Sequence, residues 1–269
     1  MKFMYSIFRF YIQSSIHVAF AVTCLTVVTI FEFGFVPEPA LLLFIFFGTI
    51  VGYNFVKYAG ISNQHNLKIT PHINLIRGFS VLCLAGAGYF GLLLPIPVLV
   101  TAGIFWVLTL LYAIPLYRSR NLRSLYGIKI FIIAIVWIGV SVLLPLEYHN
   151  LNFRPKVFYQ CLEIFFFVIA LTLPFEIRDL KYDKPDLGTL PQKLGVPKTK
   201  WLGVILLVIS GILALNQTYM ADAHLYASLI TFGLTMVLLM GAREEQGEFY
   251  ASLFVESMPI LWLFLMLWL

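Results

Sequence analysis

The most polar part of this apolar chain lies between Leu173 and Lys200, where acidic and basic side chains stand close together. Asp179 and Asp183 are four residues apart, and Glu176 precedes Asp179 by three. At helical spacing these three carboxylates share one face of a helix. A stripe of acids at the end of a membrane helix is costly unless water, a metal ion or cations meet it. The spacing therefore indicates that a ligand or counter-ions gather here.

Two interpretations of the acid pair remain open at this point. In the first, Asp179 and Asp183 bind Mg²⁺, which takes one or two carboxylates and completes its shell with water and substrate phosphates. Arg178, Lys181 and the basic residues of the loop between the expected spans 97–117 and 125–146 would then bind diphosphate oxygens. In the second, a solvated helix end pairs its acids with those same cations. Spacing alone favours the second interpretation.

The composition identifies the class of protein. Of 269 residues, 61% are hydrophobic and 12% are charged, whereas soluble domains usually carry about a quarter charged residues. Apolar runs long enough to cross a bilayer recur along the chain. We therefore expect one integral membrane domain over residues 1–269, folded as an all-α polytopic bundle. The excess of cations is better explained by membrane orientation than by nucleic acid, which is not an expected partner.

About nine membrane spans are expected from the length of the apolar runs and from the Pro, Gly and charged residues that separate them. They cover approximately residues 14–36, 39–58, 73–94, 97–117, 125–146, 157–178, 201–219, 223–241 and 249–269. With nine spans, all of the 18 Lys and Arg residues except Arg154 and Lys156 fall on one side of the membrane. That side is expected to be cytoplasmic, which places the N-terminus in the cytoplasm and the C-terminus on the opposite side.

Several ionisable residues fall within or at the ends of the expected spans. Glu256 lies about two helical turns from the cytoplasmic end, roughly 10 Å in, so it could reach a central cavity as well as bond a neighbouring helix. Glu163 lies nearer the outer face of the membrane in its expected span. Arg77 and Lys129 stand at the cytoplasmic starts of their spans, where long basic side chains usually extend to the interface. Glu176 and Glu256 are therefore the candidate polar residues of a cavity.

Two motifs carry a resemblance to a known family. The first is Glu176-Ile177-Arg178-Asp179-Leu180-Lys181-Tyr182-Asp183, followed by Gly188-Thr189-Leu190-Pro191. It resembles the second aspartate-rich motif of the UbiA superfamily of intramembrane prenyltransferases, most closely that of its quinone-biosynthetic members. The second is Tyr112-Ala113-Ile114-Pro115-Leu116-Tyr117-Arg118, which is similar to the basic pattern at the end of that family's fourth span. Nine spans and a polar cytoplasmic face also match that family.

The resemblance implies a prenyl-group transferase that uses Mg²⁺. Such an enzyme binds a prenyl diphosphate, ionises it to an allylic carbocation and alkylates a hydrophobic acceptor, including aromatic quinone precursors. Carried over to this chain, Asp179 and Asp183 would be metal ligands. Arg118 would be a clamp for the diphosphate. The expected partners are thus the prenyl diphosphate, its acceptor and the lipid bilayer.

The chain departs from the family at its first motif, N-D-x-x-D-x-x-x-D. Asn54 matches the leading asparagine, but the acids are replaced by Phe55, Tyr58 and Ser62. Lys57, beside Asn54, is hypothesised to neutralise phosphate in place of a metal, although a cation marking a helix end is the simpler interpretation. The alternative function is a non-catalytic isoprenoid- or quinone-binding or assembly protein. A transporter is a weaker third alternative, because no repeat or pair of broken helices stands out.

Overall fold

The computed structural model describes residues 2–58, 72–114, 127–183, 187–216 and 222–269. These ranges are helical and contain no β-strand, so the expected all-α polytopic bundle is confirmed. The α-helices, numbered in chain order, are α1 Lys2–Gln13, α2 Ile16–Glu32, α3 Pro39–Tyr58, α4 Ile73–Gly91, α5 Ile96–Ala113, α6 Lys129–Ile138, α7 Leu144–Tyr148, α8 Pro155–Asp179, α9 Leu190–Leu194, α10 Val196–Asn216, α11 Asp222–Gly241 and α12 Met258–Trp268.

Eight helical segments of the described chain are long and apolar enough to cross a membrane. They correspond to the second to ninth expected spans, with ends that differ by a few residues. Helices α1 and α2 together meet the same length and hydropathy criteria as one further span, with a bend of 55° between them. The architecture is that of a multi-pass membrane protein, whereas the side on which each terminus lies stays a prediction.

The N-terminal helix α1 was not expected from the sequence, which placed the first span at residues 14–36. The chain breaks between α1 and α2 at Ser15, whose φ of 64° is left-handed and therefore interrupts a right-handed helix. The two helices are consequently separate elements. Asn54 and Lys57 of α3 form hydrogen bonds at this break.

The interior of the bundle forms around α2 and α8. Helix α2 packs against α3 and α12, and α8 packs against α6 and α10. Phe167 of α8 meets Phe232 of α11 and Trp262 of α12, with ring centroids 5.0–5.5 Å apart among the three. Helices α4 and α5 lie at the periphery and expose large apolar side chains, as a bilayer-facing surface requires.

Two segments of the long helices are π-helical, Gly139–Leu143 between α6 and α7 and Tyr250–Val255 before α12. Such segments are rare and are frequently found at functional sites. At Gly139 an added Cβ would lie 2.4 Å from the ring of Phe105 in α5, so only glycine permits this approach. The second π-helical segment ends immediately before Glu256.

Candidate functional site

The end of α8 is joined to the start of α6 by a buried ion pair. Lys129 Nζ lies 2.5 Å from Glu176 Oε1, and the two side chains are only 15% and 3% exposed. Asp179 and Tyr112 lie within electrostatic range of the same ammonium group. The expectation that Lys129 extends to the interface is therefore corrected. Glu176 supplies a counter-charge inside the bundle, which makes the inward position favourable.

Asp179 stands at the last position of α8 and is partly neutralised by its neighbour. Arg178 Nε donates to Asp179 Oδ1 at 2.8 Å, and the guanidinium lies 5.2 Å from the ring centre of Phe175. This is the pairing of acid and cation that the solvated-helix interpretation requires. It leaves the second carboxylate oxygen of Asp179 for other contacts.

Asp183 follows Asp179 by one further helical turn. Its backbone N–H donates to the Asp179 carbonyl at 2.9 Å, and its Oδ2 atom is buried. Among the described residues no group of three or more His, Cys, Asp or Glu side chains could hold a metal ion. Magnesium binding by Asp179 and Asp183 therefore stays a prediction, in which water and a substrate phosphate would have to complete the metal's shell.

Asn54 of α3 forms hydrogen bonds at the break between α1 and α2. Its side-chain amide donates to the Ser14 carbonyl at 3.0 Å and to Ser80 Oγ at 2.9 Å, and its Oδ1 accepts from Ser15 Oγ at 2.8 Å. The side chain is buried. These bonds give Asn54 a structural role in holding α1, α3 and α4 together. If Asn54 bound a diphosphate, its side chain would have to give up these hydrogen bonds.

Lys57 contacts the same break and also faces the interior cluster of charges. Its ammonium group donates to Ser15 Oγ at 2.9 Å, and it lies within electrostatic range of Glu256 and Arg178. Glu256 in turn interacts with Arg178, Tyr53 and Lys57. The structure thus brings together three of the expected site residues, Lys57 of α3, Arg178 of α8 and Glu256 of the last span.

Lys181, another expected site residue, does not join this group. Lys181 is exposed, and its ammonium group lies 5.0 Å from the ring centre of Tyr182. Arg118 lies outside the described residues. We define the polar cluster as the charged residues that interact with one another at this end of the bundle, with the two tyrosines beside them: Tyr53, Lys57, Tyr112, Lys129, Glu176, Arg178, Asp179 and Glu256.

His17 lies buried next to the polar cluster, and its role was not foreseen from the sequence. Its Nε2 donates to the Leu253 carbonyl at 3.1 Å and lies 3.1 Å from Ser257 Oγ, while its Nδ1 accepts from the Tyr11 hydroxyl at 2.8 Å. These contacts join α1 and α2 to the second π-helical segment. A histidine early in an apolar span was the available signal, but two of its three partners, Leu253 and Ser257, are over 200 residues away in sequence.

An apolar cavity of about 520 Å³ adjoins the polar cluster. It is lined by residues of α2, α3, α4, α5, α6, α7 and the first π-helical segment, and five of these residues are glycines, namely Gly48, Gly52, Gly88, Gly91 and Gly103. A Cβ added at Gly48, Gly88 or Gly103 would meet no atom within 4 Å. Because glycine has no side chain, these positions account for much of the cavity volume.

Tyr53 and Tyr112 connect the cavity to the polar cluster. Both line the cavity near the ends of α3 and α5, and they interact with Glu256 and Lys129, respectively. The Tyr53 hydroxyl is fixed in place by accepting a bond from Trp137 Nε1 at 2.6 Å. The site is thus apolar along most of its length and polar at one end, which suits an amphipathic ligand.

We compared the chain with protein-family models, with curated proteins and with solved structures, and no family model, curated protein or solved structure matches it.

Proposed function

We propose that this protein is an intramembrane prenyltransferase of the UbiA type. It binds a prenyl diphosphate with the isoprenoid chain in the apolar cavity and the diphosphate at the polar cluster. It transfers the prenyl group to a hydrophobic acceptor, such as an aromatic quinone precursor. The observation that carries the proposal is the 520 Å³ cavity that meets the charged residues through Tyr53 and Tyr112.

The residues at the polar end suit the head of such a donor. Mg²⁺ held by Asp179 and Asp183, when bound, supplies positive charge that stabilises the departing diphosphate. Arg178 and Lys57 add two cations, both within electrostatic range of Glu256. The guanidinium group can bind phosphate oxygens in a fixed geometry, whereas the ammonium group acts as a point charge. Together they orient the donor so that its allylic carbon points into the cavity.

A second candidate function is supported by a separate observation. Glu176 and Asp179 are both paired with cations of the protein, which is the arrangement of a stable charge network. A protein that binds an isoprenoid or a quinone without turnover would have the same cavity and would have no need of the metal. In that case Tyr53 and Tyr112 would recognise a neutral polar head.

A turnover assay separates the two candidates. Purified protein in lipid nanodiscs is incubated with labelled prenyl diphosphates of several lengths, Mg²⁺ and a panel of aromatic acceptors. The test variant is Asp179→Asn/Asp183→Asn. The matched control is Glu244→Gln/Glu245→Gln, which also removes two carboxylates but at exposed positions of the loop after α11.

The enzyme proposal predicts metal-dependent prenylated product that falls at least about 100-fold in the aspartate variant. The control variant is expected to retain wild-type activity. Binding of the isoprenoid without product, equal in the wild type and in the aspartate variant, would contradict the enzyme proposal and support the second candidate.

A further inference from the structure

Four of the residues that line the apolar cavity also lie on the outer surface of the bundle. Leu84 is 55% exposed, Leu92 is 86% exposed and Trp106 is 38% exposed, and Gly88 is exposed as well. Leu84 and Gly88 belong to α4, Leu92 follows it directly, and Trp106 belongs to α5. The lining residues of the other elements are buried or half-buried. The cavity therefore reaches the surface of the bundle between α4 and α5.

The two helices on either side of this opening are not packed against each other over the lengths that the structure describes. Helix α4 packs against α3, whereas α5 packs against α3, α6 and α7. Gly88 of α4 and Gly103 of α5 line the cavity on the two sides of the gap. A Cβ added at either glycine would meet no atom within 4 Å, so no side chain at these positions closes the gap.

The indole of Trp106 forms one edge of the opening. A Cβ added at Gly52 of α3 would lie 3.5 Å from Trp106 Cζ3, and the Trp106 ring meets Phe55 edge to face with centroids 6.2 Å apart. The ring is thus packed on α3, lines the cavity and is still partly exposed. It therefore lies between the interior of the cavity and the outer surface.

The opening lies at the depth of the hydrocarbon core. Leu84 and Trp106 are both within roughly 3 Å of the middle of their helices, measured along the axis at about 1.5 Å per residue. Nearby exposed side chains, such as Val81 and Val107, are apolar. The bilayer core contains no water that could solvate a polar group at this depth. A molecule that enters here from the bilayer must therefore enter with an apolar part.

The shape of the cavity favours a flexible chain over a helix of a partner protein. The cavity borders α4 only from Leu84 to Leu92, a length of about 12 Å. A partner helix that crosses the membrane would need a groove along most of the hydrocarbon core, which is about 30 Å thick. A single hydrocarbon chain needs no such length.

We infer that the gap between α4 and α5 is a lateral entrance through which the hydrocarbon chain of a bilayer lipid enters the cavity. The chain passes between Gly88 and Gly103 beside Trp106, while the polar head of the same molecule stays at the end where Tyr53 and Tyr112 lie. A chain longer than the cavity leaves its far end in the bilayer. A transferase and a non-catalytic binding protein would both use such an entrance, so it goes beyond the proposed function.

A phospholipid probe tests the entrance without donor, acceptor or metal. The protein is placed in nanodiscs containing phosphatidylcholine with a diazirine at the end of one acyl chain, irradiated and mapped by mass spectrometry. The test variants are Gly88→Phe and Gly103→Phe, which place a ring in the gap from its two sides. The matched control is Gly78→Phe, at an exposed glycine of α4 that does not line the cavity and where an added Cβ also has no neighbour within 4 Å.

We expect the wild-type protein to be labelled at buried lining residues such as Ile45, Trp137 and Leu144. Both test variants should lower this labelling about fivefold or more, because a ring that fills the gap leaves no room for a chain. The control variant should be labelled like the wild type.

The entrance would be overturned by wild-type labelling confined to lipid-facing residues such as Leu82. Equal labelling of the buried residues in the wild type and both test variants would also overturn it, as would an equal fall in the control. Because the probe requires no turnover, these outcomes are separate from the result of the prenyl-transfer assay.

Discussion

At the scale of single residues, the site depends on which charges find partners inside the bundle. The sequence indicated the acids of the α8 end because their spacing is visible along the chain. It gave no signal that Lys129 turns inward, because the carboxylate that makes this favourable lies 47 residues further on. Similarly, Asn54 could be identified as a polar residue near a helix end, but its three bonding partners on α4 and at the α1–α2 break could not.

The Lys129–Glu176 pair predicts a large difference between single and double substitution. Glu176→Gln leaves a buried ammonium group without its counter-charge, and we expect it to lower the free energy of unfolding by about 3 kcal/mol or more. Lys129→Met/Glu176→Leu removes both charges and is expected to recover most of that loss. Thermal unfolding in detergent measures both effects. Equal Tm values for the two variants would show that the pair does not act as a unit.

His149 predicts that stability falls in mild acid. Its ring stacks on Phe35 at 4.2 Å, and burial lowers the pKa of the imidazole below its ordinary value of 6.5, although Glu38 opposes this shift. Below pH 6.5 the unfolded chain binds a proton that the folded chain does not yet bind, so stability decreases as the pH falls. His149→Phe keeps the stacked ring and removes the titration. Its Tm should therefore depend less on pH between 7.5 and 5 than the wild-type Tm does.

At the scale of elements, apolar length was sufficient to locate the spans but not the irregular segments within them. The break at Ser15 is stabilised by Asn54 and Lys57, both about 40 residues away. The π-helical segment at 250–255 is bonded by His17 from the other end of the chain. These distortions arise from tertiary contacts, so no local pattern predicts them.

The role of His17 can be tested by hydrogen exchange. His17→Phe removes the bond to the Leu253 carbonyl, and we expect amide exchange to become faster in residues 250–257, where that bond restrains the π-helical turn. Tyr11→Phe is the matched control, because it removes only the hydroxyl that fixes the other ring nitrogen. Faster exchange throughout the bundle in His17→Phe would indicate general destabilisation instead. Unchanged exchange in 250–257 would show that His17 does not hold the segment.

At the scale of the whole molecule, composition predicted the membrane class, and the recurring apolar runs predicted the helical fold and the approximate spans. It could not predict the cavity, because a cavity depends on which side chains are missing from facing helices. The glycines of α3, α4 and α5 resemble ordinary packing residues in the sequence. In the structure Gly48, Gly88 and Gly103 face open space, and the peripheral helices stand apart around it.

Filling the cavity should block ligand binding without unfolding the protein. Gly48→Leu adds a side chain where a Cβ has no neighbour within 4 Å, and leucine also favours the helix over glycine. We expect the variant to bind a fluorescent isoprenoid diphosphate at least about tenfold more weakly, with a Tm no lower than that of wild type. Gly78→Leu, on the exposed surface of α4 outside the cavity, is the matched control. Equal weakening in both variants would argue against cavity binding.

The most direct test of the account is to find where the donor lies. A prenyl diphosphate analogue with a photoreactive diazirine at the tail end is bound to the protein in nanodiscs, irradiated and mapped by mass spectrometry. The account predicts labelling of cavity residues such as Phe44, Leu99 and Phe105, which is lost on competition with unlabelled donor and reduced in Gly48→Leu. Labelling confined to lipid-facing residues such as Leu82 and Val107, unchanged by the competitor, would contradict it.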